Sequence, residues 1–238
     1  MQYKSRAIVL HKIDYSDTSI IVYLFTEKFG RQSFLIKGAK RKNSKIKSIA
    51  FQPLFLLEIE AYHKIKNNLQ ILKEIKVEPV LYSISNNIIK SSISLFIAEV
   101  LYHTLKEETA NPETFNYIYN SIQVLELQDE NINNFHIHFL IGLTKYLGFF
   151  PNNNYSNNYF DLIDGSFKNH IPSHNHFLNK KQSEILYLLI SRKSGQNIPI
   201  MAKNKIEFLA KLMEYYKIHI DGFGDIKSLH IFNTLFHS

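Results

Sequence analysis

The chain is 238 residues long, 45% hydrophobic and 21% charged, with a formal charge of +7 and no cysteine. This composition supports a substantial core in one large domain or two small ones; it excludes disulfides and cysteine-ligated zinc and agrees with a reducing cytoplasm. No membrane partner is expected, because the opening residues lack the apolar stretch of a signal peptide and the richest apolar runs, 54–59 and 84–105, are short or broken by Lys90 and Glu99, under the roughly 20 residues a spanning helix needs.

Charge is placed unevenly. Residues 1–80 hold fifteen Lys/Arg against seven Asp/Glu, a balance of +8, whereas residues 81–238 hold thirteen against fourteen, a balance of −1. A basic module joined to a neutral body points to a polyanion partner, most often nucleic acid. Five runs in this module read as strands: 6–13 (RAIVLHKI), 19–26 (SIIVYLFT), 32–37 (QSFLIK), 52–62 (QPLFLLEIEAY) and 69–77 (LQILKEIKV). Turn residues separate most of them. Five short strands in so small a unit predict a closed or nearly closed β-barrel, which leaves few unpaired edges.

Between the third and fourth runs lies KGAKRKNSKIK, residues 37–47, with Lys37, Lys40, Arg41, Lys42, Lys45 and Lys47 and no acidic residue. Each cation is a candidate contact to a backbone phosphate. Gly38 would permit a sharp turn and a close approach of the backbone to the preceding strand. The same run also reads as a solvated loop in a lysine-rich chain. Tyr23, Phe25, Phe34, Phe51 and Phe55 could stack on unpaired bases, but buried aromatics are the more general case. Alternation puts Tyr23 and Phe25 on one face and Val22 and Leu24 on the other, so both faces are apolar. Lys37 lies on the opposite parity to Phe34, which favours Phe34 in the core. Glu58 and Glu60 read as the wet face of a strand.

After Pro79 the hydrophobic period becomes helical. Residues 83–106 are expected as one helix. Pro112 stands at the first helical position of the next, over 114–127, and a third spans 134–147 before Gly148 and Pro151. Residues 152–180 are polar and irregular, a loop or a small β excursion. Helical spacing resumes over 182–191 and 203–218, and 226–236 is expected to be helical. The fold class is α+β in two domains: residues 1–80 as the β-barrel and 81–238 as a helical domain with an irregular insertion at about 152–180.

In this order the residues resemble the RecO family of bacterial recombination-repair mediators. The likeness rests on the Tyr15-Ser16-Asp17 turn, Phe25-Thr26-Glu27, Gly30, then Lys37-Gly38-Ala39-Lys40-Arg41 with Ser44 behind it. It continues through Gln52-Pro53-Leu54, Leu56-Leu57-Glu58 and residues 69–74, and farther on Phe139-Leu140 through Gly148 to Pro151, Tyr215-Tyr216 and Lys227-Ser228-Leu229. The resemblance is strongest over 5–75 and collinear to the end. It implies an OB-fold N-terminal domain and an all-α C-terminal domain. It also implies a protein of the cytoplasm and nucleoid that binds single- and double-stranded DNA, anneals complementary strands and helps load recombinase on DNA coated by single-stranded DNA-binding protein (SSB), in the RecFOR pathway. The implied partners are a RecR-like protein and the acidic, apolar C-terminal tail of SSB. With this resemblance the basic run becomes the candidate DNA-binding site: Lys37, Gly38, Lys40, Arg41, Lys42, Lys45 and Lys47. Many members carry four cysteines as a zinc module after the Gly–Pro helix; this chain has none, and residues 152–158 occupy that region.

Other constellations are weaker. His170, His174 and His176 lie in a polar loop near Asp161 and Asp164, with His136 and His138 upstream, and read as loop or surface histidines rather than metal ligands. No nucleophile–base pattern, Walker loop or H-E-x-x-H appears, so no catalysis, cofactor or metal is expected. Lys180, Lys181, Arg192, Lys193, Lys203, Lys205, Lys211 and Lys217 could extend a DNA path or receive an acidic peptide. An RNA-binding OB module or a protein-interaction scaffold would share the barrel and the basic run.

Overall fold

A computed structural model describes residues 1–64, 67–154, 158–191, 200 and 202–229. The chain forms two compact units, Met1–Gln128 and Asp129–Ser238. The first begins with five strands: β1 (Gln2–Asp14), β2 (Ile20–Thr26), β3 (Gly30–Ile36), β4 (Leu56–Tyr62) and β5 (Ile71–Val77). They form one antiparallel sheet in the order β3-β2-β1-β4-β5. Its two edges form no ladder with each other. They meet at a parallel bridge, Phe34–Gln70, where Leu35 N–H donates to the Gln70 carbonyl at 3.3 Å and Gln70 N–H to that of Ser33 at 2.7 Å. The result is a curled, nearly closed sheet consistent with the OB-fold.

The interior is filled by alternate residues of each strand, among them Val9, Val22, Leu24, Phe34, Leu57 and Ile59. The opposite face of β2 is apolar for a separate reason. Helices α1 (Tyr82–Asn86), α2 (Ile88–Thr104) and α3 (Pro112–Leu127) follow in the same unit. Tyr23 meets Tyr102 of α2, ring centres 5.0 Å apart, and Phe25 meets Phe115 of α3 at 5.8 Å. Arg6 crosses the same seam, paired with Glu27 and lying over the Tyr119 ring at 4.7 Å.

Two expectations need correction. Residues 83–106 are not one helix. The chain breaks at Asn87, whose extended backbone and side chain, accepting from Ile89 and Lys90 N–H, start α2 afresh. Nor does the fourth strand begin at Gln52. Residues 52–55 form a turn with Leu54 at φ +62°, which bonds back to Val9 through Leu54 N–H and the Phe55 carbonyl. Asn111 caps α3 through Thr114 N–H, with Pro112 at its first position.

The second unit contains α4 (Phe135–Tyr146), three short strands β6 (Tyr159–Asp161), β7 (Ser166–Lys168) and β8 (Phe177–Leu178), then α5 (Lys180–Ser191) and α6 (Ala202–His219). The strands form a sheet ordered β7-β6-β8, so the irregular insertion is a β excursion and the unit is not purely helical. Tyr216 of α6 donates to the Leu140 carbonyl at 2.7 Å and Tyr215 to that of Phe149 at 2.7 Å, tying α6 to α4 and its exit turn. Of the expected last helix, residues 230–236 lie outside the described residues.

Candidate nucleic-acid interface

The segment 37–47 leaves β3 as consecutive turns, returning through a 3-10 turn at Ser48–Ala50. Gly38 begins it at φ +71°, where a β-carbon would face only the Arg41 side chain at 3.6 Å. The glycine is therefore needed for its left-handed backbone, not for close backbone approach. Ala39 is buried in the barrel interior and Ile46 packs against it. Between these anchors Arg41 N–H donates to the Gly38 carbonyl at 2.9 Å, Ser44 N–H to that of Arg41 at 3.1 Å and Ser48 N–H to that of Ala39 at 3.1 Å. The loop is held in shape by two apolar pegs and its own backbone.

That scaffold turns every cation outward. Lys37, Lys40, Arg41, Lys42, Lys45 and Lys47 are all exposed. Lys40 pairs with Asp14 at 2.9 Å; among the described residues the other five have no carboxylate within ion-pair distance. Lys12, which sequence reasoning did not single out, reaches the same loop, its ammonium 3.4 Å from the Ser48 carbonyl. Beside the loop runs a groove of about 800 Å³, lined on one wall by residues 35–38 and 41–46 in part and on the other by residues 69–73. Arg41 and Lys45 stand on its first wall. Ile71, 54% exposed, offers an apolar surface on its second.

The aromatics weighed as stacking platforms are mostly core, as the general burial of aromatics favoured. Phe25, Phe34 and Phe51 are buried and Phe55 packs against the barrel core. Tyr23 is half-covered, between His11, Tyr102 and the Arg31 guanidinium. Glu58 is exposed, and Glu60 pairs with Lys73 at 2.7 Å.

In the second unit Lys205, Lys211 and Lys217 are occupied locally. Lys205 donates to the Asn133 carbonyl at 3.2 Å, Lys211 pairs with Glu214 at 2.8 Å and Lys217 with Asp225 at 2.6 Å. Lys180 and Lys181 are exposed at the start of α5. Arg192 and Lys193, and the side chain of Lys203, lie outside the described residues. His174 lies 3.2 Å from Asp161 and His176 2.6 Å from Glu214. Burial would raise the Glu214 carboxyl, but hydrogen bonds from Lys211 and His176 outweigh it and hold it below its ordinary range. No three His, Cys, Asp or Glu residues among those described come together as a metal-binding set. His136, expected at the surface, is completely buried in α4. No helix among the described residues is long and apolar enough to cross a membrane.

Two family models match the chain in order: Recombination protein O N terminal over residues 1–79 and Recombination protein O C terminal over residues 85–230. The chain is also similar over its length to curated proteins named DNA repair protein RecO. It is 39% identical to that of Azobacteroides pseudotrichonymphae genomovar. CFP2, covering 99% of this chain and 100% of the relative. It is 34% identical to that of Phocaeicola vulgatus and 36% to that of Bacteroides fragilis, with the same coverage. The two models and these relatives together span nearly the whole sequence, and the chain belongs to the recombination protein O (RecO) family.

Proposed function

We propose that the chain is a DNA repair and recombination mediator. Residues 1–80 serve as its nucleic-acid-binding domain and residues 81–238 as a helical domain for partners. The observation that carries this reading is the loop 37–47, where five exposed cations have no acidic partner among the described residues while its backbone is pinned by Ala39 and Ile46. Lysine and arginine held outward this way neutralise phosphates and release their counterions, which favours any strand regardless of sequence. Lys37, Lys40, Arg41, Lys42, Lys45 and Lys47 take the phosphates, with Gly38 setting the turn that presents them. The same charge screens the repulsion between two strands and so promotes annealing. Work of this kind is binding and positioning, with no bond made or broken by the chain, and it belongs at the nucleoid.

The partners carried over from the family are a RecR-like protein and the acidic tail of SSB, the latter on the helical domain. The exposed Lys180 and Lys181 offer charge of the right sign for such a tail. The DNA surface is tested by changing Lys37, Lys40 and Arg41 together to Ala. Single-strand affinity should fall steeply, and the slope of log affinity against log salt should drop by about 2, since each lost phosphate contact removes about 0.7. Unchanged affinity and slope would overturn the assigned surface, and equal or stronger binding to RNA of the same sequence would redirect the reading. Annealing of complementary strands coated with the cognate SSB tests the wider role.

A further inference from the structure

One aromatic ring at the barrel rim is neither core nor covered. Tyr15, in the turn between β1 and β2, is 60% exposed. The turn beneath it is firmly built. Tyr15 N–H donates to the Ser19 carbonyl at 3.1 Å, Ser16 N–H to the same oxygen at 3.3 Å, and Ser19 N–H to the Ser16 hydroxyl at 3.2 Å. It is also fastened to the basic loop: Lys40 N–H donates to the Thr18 carbonyl at 3.1 Å, and the Lys40 ammonium lies 2.9 Å from the Asp14 carboxylate. An exposed ring thus stands on a firmly built backbone turn at the seam with the segment that carries the positive charge.

The charges around the ring decide what it could take. Asp14 and Asp17 flank this position in sequence, and both are exposed. Two carboxylates disfavour a phosphate beside the ring, and the loop across the seam attracts one. A nucleobase carries no charge and presents a flat face to a phenol ring. Such stacking tolerates any base but requires that the base be unpaired.

We propose that Tyr15 stacks on an unpaired base of single-stranded DNA while the neighbouring phosphates lie on the loop 37–47, a contact that an intact duplex does not offer. The proposal rests on the DNA-binding reading above.

The chain contains no tryptophan, so Tyr15→Trp installs a lone indole reporter at this site. Its emission is expected to be quenched on titration with oligothymidylate and to be unmoved by a blunt duplex. Tyr15→Ala is expected to weaken oligothymidylate binding about tenfold, leaving duplex binding and the salt slope as in the parent, and Tyr15→Phe to restore the affinity. The role of Tyr15 is overturned, with the DNA surface intact, if the parent chain binds oligothymidylate but Tyr15→Ala binds equally well and the indole emission of Tyr15→Trp does not change. Equal losses for single strand and duplex also overturn it. If the parent chain binds neither, the DNA-binding reading itself fails and takes this proposal with it.

Discussion

The Lys40 ammonium lies 2.9 Å from the Asp14 carboxylate, joining the end of β1 to the basic loop. Both groups reach solvent, so the pair contributes little to stability. Its consequence is for binding: Asp14 competes with phosphate for Lys40. Asp14→Asn should therefore raise single-strand affinity two- to three-fold at low salt, steepen the salt dependence by up to about one contact, and leave the unfolding midpoint unchanged. Salt-titrated fluorescence anisotropy checks the first two and urea denaturation the third.

Gly30 makes the opposite kind of demand. It sits at φ +60°, and a β-carbon there would fall 2.3 Å from the Thr109 carbonyl oxygen and 2.6 Å from that of Glu107. The next residue, Arg31, donates its N–H to that same Glu107 carbonyl at 2.9 Å, so the loop after α2 is pressed onto the start of β3. Gly30→Ala meets backbone rather than a yielding side chain and adds left-handed strain. It should cost about 3 kcal/mol of stability, measured by equilibrium denaturation. The basic loop, at the other end of β3, should keep its DNA affinity wherever the variant remains folded.

Much of this arrangement is legible in the residues. Periodicity locates the five strands, and the run 37–47 is visible as a basic loop because no acidic residue interrupts it. Both faces of β2 look alike in sequence because one fills the barrel and the other lies beneath Tyr102 and Phe115, partners some eighty to ninety residues away that no local pattern reveals. Asn87 is missed as a break because apolar spacing runs through it; its capping role depends on hydrogen bonds to Ile89 and Lys90 N–H, not on hydrophobic period. His136 is misjudged for a related reason: a polar residue on a helix announces its face only once the packing partner is known. Tyr15 escapes because a turn residue has no period at all. An aromatic between two acidic turn residues was the available signal.

Glu126 is a joint within the first unit. Its carboxylate accepts from Ser83 N–H at 2.7 Å and Ile84 N–H at 2.8 Å, satisfying the start of α1, while its carbonyl accepts from the buried Lys90 ammonium at 2.9 Å. Lys90 is only 1% exposed, and its ammonium also donates to the Ser83 hydroxyl at 2.6 Å. A helix as short as α1 has little propensity to stand alone. Glu126→Ala should lose both charge-assisted bonds and cost about 2–4 kcal/mol, with Glu126→Gln recovering part of it. For Lys90, Met should be tolerated better than Ala, because Met fills the space without a buried charge to satisfy. Denaturant midpoints of the four variants provide the comparison.

His136 should make stability fall on mild acidification. The imidazole is completely buried, and burial, followed by the positive charge of Lys205 and the neighbouring His138, holds its pKa well below the ordinary 6.5. The folded chain therefore keeps it neutral while the unfolded chain takes up a proton near pH 6.5. Below that point the unfolded state binds more protons, so stability rises with pH and is lost as pH falls. Between pH 7 and pH 5.5 the loss from this one group should be at most on the order of 1 kcal/mol, set by protonation of the unfolded imidazole near its ordinary pKa of about 6.5. His136→Leu keeps an apolar group in place and should flatten that part of the pH profile whatever it does to absolute stability. Denaturation of both chains at several pH values between 5 and 8 tests this: parallel profiles would show that His136 is already protonated, or partly solvated, in the folded unit.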